Sequence, residues 1–171
     1  GDNSACIGGS QAGWEVTSRD VGGARGVRCR IHLGFRPRAN IVESEIPVLT
    51  AFLCPGQGSQ TPGMGADLVK AFPTARALYD EADSILDWSV SELCFGEPSD
   101  QLNDTRYTQP ALYVHSVAAG TVLKETGIQP DYAAGHSLGE YSALVLAGAF
   151  TFADGLRLVV RRANAIADAG K

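Results

Sequence analysis

The chain has 171 residues, a formal net charge of −5, 44% hydrophobic residues and 19% charged residues. That length suffices for one domain with a real core. The acidic balance argues against a general nucleic-acid binder, and no apolar run approaches the roughly 20 residues that span a bilayer. The polar, Gly-rich start lacks the apolar core of a signal peptide. Cys6, Cys29, Cys54 and Cys94 are widely spaced and form no CxxC pair. Neither a metal site nor a disulfide scaffold is indicated, and a reducing cytoplasm is the simplest compartment.

Residues 1–45 differ from the rest. Arg19, Arg25, Arg28, Arg30, Arg36 and Arg38 crowd a stretch in which glycine is frequent. Such a segment buries little apolar surface to offset its chain entropy. We read it as a low-order Arg/Gly-rich extension outside the fold, in preference to a basic arm for an anionic partner. The chain opens on Gly1 and its single methionine is Met64. The composition change would suit a natural start near Ile41 or Val42, an expectation that N-terminal sequencing of the natural protein checks.

The remaining region, 46–171, is orderly. Pro47 to Leu53 is a short apolar run, read as a buried strand, and Cys54-Pro-Gly-Gln-Gly ends it. Met64 to Phe72 reads as a helix. Pro73 to Leu86 reads as a second, with Pro in its first turn. Thr108 to Thr126 reads as a long helix stopped by Gly127 and Pro130. Tyr132-Ala133-Ala134 is a short strand, and Leu138 to Ala147 a helix. Thr151-x-x-Asp154 resembles a capping box that opens a last helix to about Ala169. Strands separated by helices imply an α/β fold with a parallel sheet.

The most informative stretch is Gly135-His-Ser137-Leu-Gly139. A strand, a tight turn carrying Ser and a helix make an elbow that presents the hydroxyl as a nucleophile. The glycines two before and two after Ser137 let strand and helix approach closely. A helix N-terminus beside the oxygen favours developing negative charge. The general base is harder to find. His136 adjoins the serine on a sharp turn and is read as bracing the loop. His115 lies mid-helix and is read as a satisfied, partly buried side chain. His32 lies in the N-terminal extension, and no histidine follows Ser137.

The loop Cys54-Pro-Gly-Gln-Gly-Ser-Gln-Thr-Pro-Gly-Met-Gly65 turns backbone N–H groups toward a ligand. It lacks the Gly-Lys-Ser/Thr of a P-loop, and Thr61 stands where a dinucleotide fingerprint needs its third glycine. What remains is an amide-lined loop at a strand end, suited to supply an oxyanion donor beside the amide of Leu138.

Three motifs occur in order: P-G-Q-G-S-Q at 55–60, T-Q-P-A-L at 108–112 and G-H-S-L-G-E-Y at 135–141. In these the chain, from about Pro47 to Lys171, resembles malonyl-CoA:acyl-carrier-protein transacylases and the acyltransferase domains of fatty-acid and polyketide synthases. Cys54 departs from the family, which often has Phe there. The resemblance implies an α/β-hydrolase-like parallel sheet with flanking helices. It also implies that this sheet is incomplete here: a C-terminal half, a small ferredoxin-like subdomain and the catalytic histidine would follow Lys171. It makes Ser137 the acylated nucleophile, the backbone amides of Gln57 and Leu138 the oxyanion hole, Arg162 the clamp on the malonyl carboxylate and Gln109 a lining residue. The residues alone do not separate Arg162 from Arg157 and Arg161.

By the same resemblance the substrates are malonyl-CoA and the phosphopantetheine thiol of acyl carrier protein. No bound cofactor is implied, and neither nucleic acid nor membrane is a partner. Two other readings stay open: a serine thioesterase or esterase on the same elbow, and a fragment that only docks carrier protein. Little or no turnover is expected of these 171 residues alone, since loss of a triad histidine removes most catalysis.

Overall fold

The computed structural model of the chain divides into two units, Gly1–Pro47 and Val48–Lys171, each taken here by itself. It describes residues 48–170 throughout and, nearer the N-terminus, the backbone of three strands. These are β1 (Ala5–Gly9), β2 (Ala12–Val21) and β3 (Ala24–Leu33). They form an antiparallel sheet in the order β1-β2-β3, with Gly9 paired to Ala12 and Val21 to Ala24. The low-order reading of residues 1–45 rested on composition, and β1, β2 and β3 fall within that stretch. One sequence signal for them is the alternation Val27-Arg-Cys-Arg-Ile-His-Leu33. The expected start near Ile41 or Val42 lies outside the described residues.

The second unit is α/β with a small parallel sheet and several helices. Strand β4 (Ala51–Cys54) is followed by α1 (Ala66–Ala71), α2 (Pro73–Ile85), α3 (Val90–Phe95) and a 3-10 turn (Asp100–Asn103). Then come α4 (Thr105–Glu125), β5 (Tyr132–Gly135), α5 (Gly139–Leu146) and α6 (Phe152–Ala169). β4 and β5 pair in parallel from Ala51 opposite Tyr132 to Cys54 opposite Gly135. The strand expected from Pro47 begins at Ala51, and the preceding Val48 and Leu49 are exposed. Alternation along β4 buries Phe52 and Cys54 against the helices and leaves Leu53 on the outer face.

Helix α4 is the central post. Every residue from Thr108 to Val114 is buried, because α2, α5 and α6 all pack on it. An Ala-, Leu- and Val-rich helix without a polar side suits that position. It starts three residues earlier than the apolar pattern suggests. Asp104 caps it by accepting from the N–H of Arg106 at 2.9 Å. Pro110 lies in the second turn and, lacking an N–H, leaves the carbonyl of Arg106 without its i→i−4 donor. The Thr108 hydroxyl donates to the carbonyls of Leu102 (2.6 Å) and Asp104 (2.9 Å), tying the 3-10 turn to the helix.

The sequence reading passed over α3 and the 3-10 turn. A signal for α3 was present: Ser89-x-x-Glu92 is a capping pattern, and Ser89 Oγ accepts from the N–H of Glu92 at 3.0 Å. Asp83 on α2 completes the cap from outside the helix. Its carboxylate accepts from the N–H groups of Val90 (2.6 Å) and Ser91 (3.2 Å) and from Ser89 Oγ (3.0 Å). At α6 the expected cap forms in altered detail. Thr151 Oγ1 accepts from the N–H of Asp154 at 3.1 Å and donates to the Asp154 carboxylate at 2.8 Å.

Candidate active site

The parallel register decides which loops meet. Cys54 and Gly135 are paired neighbours, so the segments that begin at Pro55 and His136 leave adjacent strands at the same end. The two segments are then joined. The N–H of His136 donates to the carbonyl of Cys54 at 3.1 Å. The ring of His136 lies over Gly56, where a Cβ would stand 2.7 Å from Nδ1. That agrees with the reading of His136 as a brace for the loop.

The turn itself is as tight as the glycine spacing suggests. A side chain on Gly135 would collide with the backbone of Gly139 and Glu140. One on Gly139 would collide with the carbonyls of Cys54 and Pro55. Ser137 has φ 54° and is the only non-glycine residue with positive φ among the described residues, a conformation that stores strain and clusters at functional sites. The turn closes with Gly139 N–H on the His136 carbonyl (2.9 Å) and Glu140 N–H on the Ser137 carbonyl (3.2 Å). Leu138 caps α5, and its residue is 1% exposed. Among the described residues, the amides of Leu138 and Gln57 donate no hydrogen bond.

The Gln57 loop is held by elements the sequence reading did not use. Gln57 Nε2 donates to Thr105 Oγ1 at 3.0 Å. Gln60 accepts from the N–H of Gly58 at 2.8 Å and donates to Asn103 Oδ1 at 3.1 Å. Further along, Gly63 N–H donates to the Cys94 carbonyl at 2.7 Å. The side chain of Gln57 thus faces the start of α4.

The decisive contact comes from α6. Arg162 Nη2 donates to Ser137 Oγ at 2.8 Å, and Nη1 donates to Gln109 Oε1 at 2.6 Å. Its guanidinium carbon lies 5.9 Å from the centre of the Tyr141 ring, within cation–π range. Gln109 is 1% exposed, so its amide is fixed by packing on α4. Arg157 instead pairs with Asp154 at 3.3 Å, and Arg161 is exposed. Of the three arginines, Arg162 is the one brought to the serine. Tyr141 is the site neighbour that sequence reading missed; its place four residues after Ser137 on the α5 side was the available signal.

The other histidines lie elsewhere. His115 Nδ1 is 3.3 Å from the hydroxyl of buried Tyr79, and burial lowers its pKa. His32 is on β3, and its side chain lies outside the described residues. Cys54, the departure from the family pattern, is buried, and desolvation raises its thiol pKa. Among the described residues, no group of three or more His, Cys, Asp or Glu is placed to hold a metal ion. A surface cleft of about 270 Å³ beside Trp88, Glu92 and Gln101 contains none of the site residues. The arrangement at Ser137 therefore offers a hydroxyl on a strained turn, the unbonded amide of the adjacent Leu138, a loop carrying the unbonded amide of Gln57 at the neighbouring strand end, and one guanidinium.

Residues 51–170 match the family model described as the acyl transferase domain. The malonyl CoA-acyl carrier protein transacylase of Synechocystis is 51% identical over 120 residues, which is 70% of this chain and 40% of that protein. The protein of the same name from Bacillus subtilis is 51% identical over 112 residues, 66% of this chain and 35% of its own length. Among solved structures, the Synechocystis malonyl-CoA:ACP transacylase superposes with a TM-score of 0.68 at 50% identity, covering 71% of this chain and 41% of that one. A malonyl-transacylase in complex with its type II polyketide acyl-carrier protein gives 0.65 at 46% identity, covering 68% and 38%. The chain thus spans about two fifths of the length of these relatives. With the family model covering most of its residues and the serine turn intact within them, the chain belongs to the acyl transferase domain family.

Proposed function

We propose that the chain is the serine-bearing part of a malonyl-CoA:acyl-carrier-protein transacylase. Ser137 Oγ attacks the thioester carbonyl of malonyl-CoA, forming a C–O bond as the oxyanion rests on the amides of Gln57 and Leu138. The C–S bond then breaks and CoA leaves as its thiol. The phosphopantetheine thiol of acyl carrier protein attacks the malonyl-serine, the C–O bond breaks and Ser137 regains its proton. Arg162 holds the malonyl carboxylate, and Gln109 holds Arg162.

The observation that carries this reading is the position of Arg162, hydrogen-bonded at once to Ser137 and to Gln109. A planar fork of donors suits a carboxylate kept from bulk water. The names of the relatives support the substrate pair. The positive φ of Ser137 and the close approach of Gly139 to the end of β4 support reading this turn as a nucleophile elbow. The proton acceptor for Ser137 belongs to polypeptide outside these 171 residues, as do the rest of an α/β-hydrolase-like sheet and a ferredoxin-like subdomain. Residues 1–45 stand outside the acyltransferase fold. The wide cysteine spacing without a CxxC pair supports a reducing cytoplasm as the compartment.

The test is intact-mass analysis of the chain mixed with malonyl-CoA, alone and with the C-terminal remainder of a relative added. A mass gain of one malonyl group, mapped to Ser137 and lost in Ser137→Ala, supports the reading. In Arg162→Ala, malonylation should fall by 10²-fold or more on the scale of a lost charged contact, roughly 3 kcal/mol, while acetylation from acetyl-CoA is spared. No acyl-serine under either condition would leave the docking-only fragment as the surviving reading. Equal loss of both acyl groups would overturn the carboxylate role.

A further inference from the structure

Arg162 stands apart from the other paired arginines of the second unit. Arg106 and Arg157 each have a carboxylate partner, on Asp168 and Asp104 and on Asp154. Among the described residues, no carboxylate is within ion-pair distance of Arg162. Both of its terminal nitrogens are taken by neutral acceptors, Gln109 Oε1 at 2.6 Å and Ser137 Oγ at 2.8 Å. One of these acceptors is the proposed nucleophile.

That contact has two consequences. A serine oxygen has two lone pairs, and here one of them receives the guanidinium N–H. The other lone pair stays available, but the cationic donor draws electron density from the oxygen and lowers its nucleophilicity toward a carbonyl. Either bidentate edge of a guanidinium, Nη1–Nη2 or Nε–Nη2, includes Nη2, the nitrogen that here donates to Ser137, so a carboxylate seated on the fork of Arg162 crowds that contact. A carboxylate brings a full opposite charge and two acceptor oxygens to the guanidinium, so it displaces the neutral serine oxygen, whereas an uncharged acyl end brings no such charge to Nη2. Buried Gln109 keeps its hold on Nη1 and serves as the pivot.

We infer that Ser137 and the acyl carboxylate compete for one guanidinium nitrogen, so that an anionic acyl group frees the nucleophile by binding. This rests on the reading of Arg162 as the carboxylate clamp. Selection for a carboxylate-bearing acyl group then acts twice: in holding the substrate and in releasing the hydroxyl that attacks it. A neutral acyl thioester meets a serine that is still engaged.

The competition is measurable without any turnover. Malonate, and malonamide as its neutral counterpart, are titrated into the 171-residue chain by calorimetry. Removing the competing oxygen with Ser137→Ala should tighten malonate binding about threefold to tenfold, the worth of one net hydrogen bond. Ser137→Gly removes the same oxygen and suits the positive φ, so it guards against a folding defect in the alanine variant; far-UV circular dichroism checks both. Arg162→Ala should lose malonate binding, and malonamide should bind none of the variants measurably. If both serine variants bind malonate equally or more weakly than the parent while Arg162→Ala loses it, the competition is overturned and the clamp stands. If Arg162→Ala binds malonate as the parent does, or if no form binds it, the clamp and the competition fall together.

Discussion

Gly139 rests on the carbonyl group of Cys54. A methyl group on Gly139 would stand 2.7 Å from the carbonyl carbon of Cys54 and 2.7 Å from the carbonyl oxygen of Pro55. Both obstacles are backbone, so no rotamer change relieves them. This contact seats the start of α5 on the end of β4 and brings the Ser137 turn beside the Gln57 loop. Gly139→Ala should therefore cost about 3 kcal/mol or more, the upper range for overpacking against atoms that cannot yield. Urea unfolding followed by circular dichroism checks this. A loss under about 1 kcal/mol would mean that the strand end and the helix separate easily.

Asp83 caps a helix to which it does not belong. Its carboxylate receives three hydrogen bonds at the start of α3. Asp83→Ala should lower stability by about 1–2 kcal/mol, as for lost N-caps. Asp83→Asn retains one oxygen and should recover part of the loss. Thermal melts of the three proteins read the order directly.

Acid should weaken the fold in part through His115. Burial holds its pKa below the ordinary 6.5. Above that value the ring is neutral whether the chain is folded or not, and it contributes no pH dependence. As pH falls below about 6.5, the unfolded chain takes up a proton that the folded ring resists. The unfolded state then binds more protons, so stability declines with acidification until the folded ring also titrates. His115→Gln should flatten this part of the stability–pH curve. An unchanged slope in the variant would assign the acid sensitivity to other groups.

Leu53, paired with Ala134, lies 79% exposed on the outer face of the β4–β5 sheet, and Tyr132, paired with Ala51, is 63% exposed. Parallel strands are ordinarily covered on both faces, and a bare apolar face favours association. Leu53→Lys should reduce self-association in light scattering while changing stability by no more than about 0.5 kcal/mol, as expected of an exposed position. A large drop in melting temperature would instead show that the face is covered in solution.

Much of the second unit is legible in the residues because its signals are local. The Pro at the start of α2, the Thr151 cap of α6 and the apolar run of α4 each write an element boundary within a few residues of it. Where boundaries slipped, a longer-range partner was responsible. Asp104 extends α4 back past the apolar pattern, and Asp83 stabilises an α3 too short to stand on propensity. In residues 5–33, glycine and arginine content obscured a period-two alternation that backbone pairing uses.

The tight turn at Ser137 was written in the sequence because its constraints are steric and adjacent. A residue at φ 54° needs small neighbours two places on either side, and Gly135 and Gly139 supply them. The surroundings of Ser137 were not so written. Arg161 and Arg162 are consecutive, about 100° apart around α6, and nothing in their own stretch says which one faces Ser137. The resemblance pointed to Arg162; only the packing of α6 on α4 sets it between Ser137, Gln109 and Tyr141, which lie 25, 53 and 21 positions away in a sequence that carries no local trace of the contact.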